Sequence, residues 1–366
     1  MSSRLFEPLQ IRGLTLPNRI VVAPMCQYSA DKGSATDWHV AHLTQLALGG
    51  TALVVIEATG VSAQGRISPK CLGLYSDQNE EALARAVAAA KRYGNAPIGI
   101  QLAHAGRKAS TYVPWEGAGA LKPEDGAWQT VAPSAIPFAK DWHTPQALDR
   151  AGLDRVREEF VTAAKRAVRL GLDSIELHMA HGYLMQQFLS PLSNRREDEY
   201  GGSLENRMRF PLEVFAAVRA VLPPEKPLGA RINGTDWAEG GWAIEDAVVF
   251  ASELKERGCD FVCVSSGGTA APMNMSIGPG YQVPFARRIR RETGILTRAV
   301  GMILNPEQAE AILVEGDADM VALARGVLDD PRWVWHAAKS LGADAAYPPQ
   351  YRRAKFDVWP ISSGRR

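Results

Sequence analysis

The sequence predicts an α/β fold, a (β/α)8 TIM barrel with a capping insertion after strand 3 and a C-terminal tail. Three observations predict it. Eight short apolar runs alternate with amphipathic stretches along the chain. Several runs are almost continuous in apolar residues, as parallel strands covered on both faces must be. The chain has 366 residues, more than the roughly 250 that such a barrel needs, and the surplus falls mainly in two places.

After a short start (LFEPLQIRGLTLPNR), the strands are expected at IVVAPM (20–25), TALVVIEAT (51–59), PIGIQLA (97–103) and SIELHMA (174–180). PLGARIN (227–233), FVCVSSG (261–267), ILTRAVG (295–301) and MVALAR (320–325) complete the eight. The clearest helix spans 149–170, where Leu153, Val156, Phe160, Ala164 and Ala167 recur on one face. Gly171 is placed to end it in the left-handed conformation. The larger addition, 105–148, contains YVPWEGAGALKPEDGAWQT and is expected to cap the mouth of the barrel. Trp115, Trp128 and Trp142 give it apolar surface to bury, which a disordered linker would lack. The second addition is the tail, 347–366. All of this is read as one domain.

Composition narrows the function. Lys and Arg number 41 and Asp and Glu 40, a formal charge of +1, so there is no basic stripe for nucleic acid and no polybasic anchor. No apolar stretch is long enough to span a bilayer, and MSSRLFEPLQ has no signal-peptide core. Cys26, Cys71, Cys259 and Cys263 form no CxxC pair, which points to reduced thiols and a cytoplasmic enzyme. Neither GxGxxG after a strand nor GxxxxGK[ST] occurs, so a Rossmann site and a P-loop are unsupported.

In a barrel of this kind the reacting groups come from the C-terminal strand ends. Those ends carry Ala23, Pro24, Met25, Cys26, Ala58, Gln101, His178, Arg231, Gly301 and Arg325. Side chains alternate along a strand, so Ser174, Glu176 and His178 share one face, as do Gly99 with Gln101 and Gly229 with Arg231. These polar sets are expected to face the barrel interior. Gln101 and Arg231 either form a buried polar plug or meet a bound anion, since an unpaired buried Arg is costly. Phosphate is the anion to test, with AVGM (299–302) and ALARG (322–326) offering backbone N–H groups and the fork of Arg325.

IELHMAHGYL (175–184) places His178 and His181 three positions apart, with Tyr183 following. A metal would need a third or fourth ligand, and no evident one stands at the later strand ends; Asp236 and Glu239 come without a ligand pattern. His39 and His42 lie on one face of the first helix, where capping contacts suffice to explain them. Two adjacent imidazoles suit another task, donating hydrogen bonds to an oxygen that gains negative charge. Tyr183 could then supply a proton to carbon. Such chemistry needs a hydride, which only a redox cofactor provides. A metal-dependent barrel hydrolase or aldolase using the same histidines is the alternative.

At this point the chain resembles the old yellow enzyme family of FMN-dependent ene-reductases, in particular its bacterial thermophilic-like and xenobiotic reductase class. LFEPLQIRGLTLPNRIVVAPMCQYSA, IQLAHAGRKAS, HMAHGYLMQQFLSPLSNRREDEYGGSLENRMRF and ARGVLDDPRW carry the resemblance in order. It implies an NADPH dehydrogenase that passes hydride from NADPH or NADH through tightly bound FMN to an enone-like small molecule. Ala23, Pro24, Met25 and Cys26 would lie along the flavin, Cys26 tuning its potential. Ala58, Gln101 and Arg231 would contact the ring, and Gly301, Ala324 and Arg325 would adjoin the phosphate end. His178 and His181 would hold the substrate oxygen, with Tyr183 as proton donor and Tyr28 as a substrate-side hydroxyl. Some relatives carry Trp where the seventh strand ends here in Val300–Gly301, so a roomier pocket is expected. The resemblance also implies a homodimer or dimer-built homotetramer in which the tail sends Arg353, or Trp359, into a neighbouring site.

Overall fold

The computed structural model describes residues 3–270 and 275–359. It begins with an antiparallel hairpin, β1 (Leu9–Ile11) and β2 (Leu14–Leu16). Then come β3 (Ile20–Val22), α1 (Asp37–Ala47), β4 (Leu53–Gly60), α2 (Asp77–Tyr93) and β5 (Ile98–Ala103). The insertion contributes β6 (Val131–Ala132) and β7 (Gln146–Ala147), a two-residue parallel pair. Next are α3 (Arg150–Arg169), β8 (Ser174–Met179), α4 (Leu184–Leu189), α5 (Leu204–Val221), β9 (Leu228–Asn233) and α6 (Ile244–Glu256). The chain continues through β10 (Phe261–Ser265), α7 (Val283–Thr293), β11 (Leu296–Ala299), α8 (Pro306–Val314), β12 (Met320–Leu323), α9 (Arg325–Asp329) and α10 (Trp333–Ser340).

The eight predicted strands close into one parallel barrel, β3-β4-β5-β8-β9-β10-β11-β12. Four of them, β3, β10, β11 and β12, stop two or three residues before their apolar runs do. Pro24, Met25, Val300, Gly301 and Ala324 are thereby released from the sheet ladder at the mouth, while the Ala23 N–H still donates to the Leu323 carbonyl at 2.9 Å. The predicted helix is α3, capped by Asp149, whose side chain accepts from the Gly152 N–H at 2.7 Å. Its predicted apolar face is buried against the sheet, and Gly171 sits at φ 68°.

Below the mouth the interior is polar, then apolar. Glu176 accepts from Gln101 Nε2 at 2.7 Å and from Arg298 Nη1 at 2.9 Å, and the Arg298 guanidinium lies 4.5 Å from the centre of the Phe261 ring. Beneath this layer Val21, Leu53, Val55, Phe261 and Met320 pack with Ile11 and Leu16, so the hairpin closes the floor. A bulge in β4 shifts the register between Ile56 and Ala58. It takes Glu57 out of the alternation and lets it meet His39 of α1, Oε1 to Nε2 at 3.3 Å.

The insertion has little regular structure. Trp128 donates from Nε1 to the Gln64 carbonyl at 3.0 Å and is partly buried, as is Trp142. Trp115 departs from expectation: it is 65% exposed, touching Tyr28 edge-on with ring centres 5.6 Å apart. It sits on a 3-10 turn held between Pro114 and Gly117 at the surface, where no core reaches it.

Candidate active site

The turn after β8 is built to place three side chains. His178, the penultimate residue of β8, is buried, and its Nδ1 accepts from the Ala180 N–H at 3.2 Å, so its ring proton resides on Nε2. His181 has φ 58°, a left-handed conformation unusual for a residue with a side chain. Three contacts hold it there. Its N–H donates to Asn233 Oδ1 at 3.1 Å, its carbonyl accepts from Lys108 Nζ at 2.8 Å, and Nε2 lies 2.7 Å from Ser265 Oγ. Gly182 follows at φ 70° with the Gly268 carbonyl packed where a Cβ would stand, so no larger residue fits the turn.

The two imidazole centres are 5.0 Å apart at an interplanar angle of 78°, and Tyr183 meets His178 edge-on at 4.8 Å. Burial, and then the Arg231 charge, holds both imidazoles well below their usual pKa, so both are neutral. Burial, with Cys26 and Tyr28 nearby, pushes the Tyr183 hydroxyl well up, which keeps its proton in place for donation. Burial, then Cys71 and Glu57, likewise keeps Cys26 a neutral thiol, and Tyr28 is raised by burial and by Cys26. The Gln27 N–H donates to Glu57 Oε2 at 3.1 Å, which fixes the backbone between Cys26 and Tyr28.

Beside this cluster lies a cavity of about 490 Å³, lined by Ala23, His181, Arg231, Gly301, Ala324 and Arg325 among others. Arg231 Nε is buried without a hydrogen-bond partner among the described residues. Gly301 sits at φ 106°, and a Cβ there would come within 2.7 Å of Gln282 Nε2. Arg325 opens α9 with its side chain exposed at the rim. An unpartnered guanidinium, a glycine wall and a rim arginine fit an anionic, flat, phosphate-bearing group. Ala23, Arg231, Gly301, Ala324 and Arg325, five of the residues expected to hold FMN, line this one cavity.

Other expectations part company with this cluster. Gln101 lies one layer below, bonded to Glu176, which is the polar-plug position weighed for it. Arg353 is exposed in the 3-10 turn Pro349–Ala354 and Trp359 is exposed beyond it, so neither enters this chain's own site. Residues 360–366 of the expected tail lie outside the described residues. His39 caps α1, accepting at Nδ1 from the Thr36 N–H at 3.0 Å. Among the described residues no group of three or more His, Cys, Asp or Glu side chains could hold a metal ion.

Sequence reasoning missed Lys108, Asn233 and Ser265. Asn233 and Ser265 close β9 and β10 in mutual register. They share faces with Arg231 and Cys263, and the strand-end rule that selected Arg231 would have found them. Lys108 had no such signal. It donates to the Gly268 carbonyl at 2.8 Å as well as to His181, and lies 5.1 Å from the centre of the Tyr183 ring.

Comparison with known proteins now decides the family. Residues 4–344 match the NADH:flavin oxidoreductase / NADH oxidase family. The chain belongs to this family. It is 46% identical over 355 residues to the NADPH dehydrogenase of Geobacillus sp. (strain WCH70), covering 96% of this chain and 99% of the relative. The NADPH dehydrogenase of Geobacillus thermodenitrificans is 47% identical over 355 residues, with the same coverage. Among solved structures, morphinone reductase superposes with a TM-score of 0.77 at 30% identity, covering 96% of this chain and 93% of that one. Morphinone reductase in complex with tetrahydroNAD gives 0.75, also at 30% identity, over 94% and 93%. The resemblance to old yellow enzymes holds, and this member of the flavin oxidoreductase family is an NADPH dehydrogenase-type enzyme that uses FMN with a nicotinamide reductant. No helix among the described residues is long and apolar enough to cross a membrane.

Proposed function

We propose that this flavin oxidoreductase reduces carbon–carbon double bonds activated by a carbonyl or nitro group, in enones, maleimides and nitroalkenes, in two successive half-reactions. The observation that carries the reading is the pair of imidazoles 5.0 Å apart, with Tyr183 edge-on to His178 at 4.8 Å, at the edge of a cavity with an unpartnered arginine. When bound, FMN supplies the hydride chemistry, accepting from the nicotinamide and donating to the electrophilic carbon.

The chain's residues do the rest. Arg231, whose Nε is unpartnered, would donate to negative charge on the ring, and Arg325 and the backbone around Gly301 and Ala324 would receive the phosphate. Ala23, Pro24, Met25 and Cys26 would line the ring's edge, with Ala58 nearby. A neutral thiol at Cys26 adds no charge and tunes the ring by contact. His178 and His181 donate to the activating oxygen of the acceptor, which strengthens as charge develops there. Tyr183 then delivers its proton to the α-carbon, and Tyr28 closes the acceptor site beneath Trp115. Two copies of the chain, as a dimer or a dimer-built tetramer, would bring an exposed Arg353 to a neighbour's mouth.

Purified protein should be yellow, bleach with NADPH under anaerobic conditions, and regain its colour on addition of 2-cyclohexenone or N-methylmaleimide. A flavin that NADPH bleaches but that none of an enone, maleimide and nitroalkene panel reoxidises would overturn the substrate class while leaving the family intact.

A further inference from the structure

Two neutral imidazoles hold an oxygen between them only if each turns an N–H toward it. A neutral ring has one N–H, so each tautomer matters. For His178 the backbone settles the tautomer, because the Ala180 N–H occupies Nδ1 and leaves the proton on Nε2. Among the described residues no backbone N–H donates to either ring nitrogen of His181. Its Nε2 faces Ser265 Oγ at 2.7 Å, and Nδ1 makes no hydrogen bond among the described residues.

Ser265 has one proton and two claimants. Gln282 Oε1 can accept from Ser265 Oγ at 3.1 Å as well as from Ser266 Oγ at 2.8 Å. His181 Nε2 is nearer, and its lone pair has no other donor. A Ser265 proton directed to this nearer acceptor leaves the His181 proton on Nδ1.

The fold makes this contact hard to lose. Ser265 and Asn233 are register partners across β10 and β9. Asn233 holds the His181 backbone N–H while Ser265 holds its ring, and Lys108 anchors the carbonyl between them. Both Ser265 and Gln282 are buried, and both line the cavity beside the histidine pair.

We propose that Ser265 is a positioning residue that fixes His181 in the Nδ1–H tautomer, so that the two histidines present complementary donors, Nε2–H from His178 and Nδ1–H from His181, to one acceptor oxygen. The inference rests on the reading that this pair holds the acceptor's oxygen. Without Ser265, His181 can place its proton on Nε2, turning a bare lone pair toward that oxygen and removing one of the two donors.

The test uses flavin-loaded full-length protein labelled with 15N-histidine, which has seven histidines to resolve, with a His181→Gln sample to assign the signals. Imidazole 15N shifts in the native enzyme should show His181 protonated at Nδ1. Ser265→Ala should move the signals toward the Nε2–H form or a mixture, and Ser265→Thr, which keeps the hydroxyl, should restore them. Affinity for 4-hydroxybenzaldehyde, read from the perturbed flavin spectrum, should fall roughly threefold to tenfold in Ser265→Ala, as expected for one lost neutral donor. Flavin reduction by NADPH should change little, showing that the fold and cofactor site are intact. A native His181 protonated at Nε2, or a tautomer indifferent to Ser265→Ala, would overturn the proposal. A tautomer that switches with no change in affinity would instead overturn the assignment of the histidines to the acceptor oxygen.

Discussion

Lys108 Nζ sits 2.8 Å from the His181 carbonyl and the same distance from the Gly268 carbonyl, joining the turn after β8 to the loop after β10. Its ammonium also lies over the rings of Phe138 and Tyr183. Burial, and then the neighbouring Arg107 charge, pulls its pKa down to about 7. In the unfolded chain a lysine titrates near 10.4. Between these values the unfolded state binds more protons, so this residue's contribution to stability rises with pH from about 7 to about 10.4 and is flat below. Lys108→Met should abolish that part of the slope in a Tm-against-pH comparison with the native protein. It should also raise KM for an enone, because the His181 turn loses its anchor. Parallel Tm curves for the two proteins from pH 7 to 10 would contradict a depressed lysine.

Tyr183→Phe separates the two half-reactions. Tyr183 meets His178 edge-on and keeps its proton through burial. Losing a positioned general acid costs about a hundredfold or more. Reoxidation by an enone should slow by about that factor in stopped-flow traces, while flavin reduction by NADPH stays close to native, since no proton from Tyr183 is needed there. Equal slowing of both phases would remove the tyrosine from its role.

The barrel was legible because its strands are buried on both faces, and a run such as TALVVIEAT has no other soluble use. Where the strands end was less legible, since the apolar run continues into residues that leave the ladder to line the mouth, as Val300 does. The floor hairpin was hidden because its strands are three residues long, too short for a pattern around the Arg12–Gly13 turn. The contact of Glu57 with His39 was hidden because a bulge in β4 breaks the period-two count between Ile56 and Ala58. Arg298 reads as an interruption in ILTRAVG, and only closure of the barrel brings it to Glu176 from 122 residues away. In the site, Arg231, His178 and Gly301 followed from strand-end position. Lys108 acts from an irregular turn where no periodicity points to a partner.

Arg231 should reveal its cofactor through stability. With its Nε buried and unpartnered, it costs the flavin-free protein free energy. Arg231→Met keeps the stem's length and removes the charge. Flavin-free protein should therefore be unchanged or more stable by about 1 kcal/mol in urea unfolding. Flavin-loaded protein should lose more than that if, as proposed, the guanidinium's partner is the bound ring. The native Tm gain on adding FMN should shrink in the variant, and a gain equal to the native one would place the arginine outside the flavin site.

Acid stability follows from four histidines held neutral. Burial lowers His104 to about 3 and, with His39 nearby, His42 to about 4, while His178 and His181 are lowered well below their usual value. Each binds a proton near 6.5 once unfolded. The unfolded chain thus takes up protons that the native state refuses, and stability falls as pH drops from about 6.5 toward 4 and 3. Carboxylates paired in the native state add to the loss only nearer their own titration range. Tm should therefore start to decline at a pH above 5, before most Asp and Glu protonate. His104→Asn is the variant to compare, because an amide oxygen can still accept from the Gly106 N–H that Nδ1 now binds at 3.0 Å. The variant should have a lower Tm at neutral pH but a shallower decline between pH 6.5 and 4. A decline confined to pH below 4, equal in both proteins, would show that the carboxylates rather than the buried imidazoles govern acid unfolding.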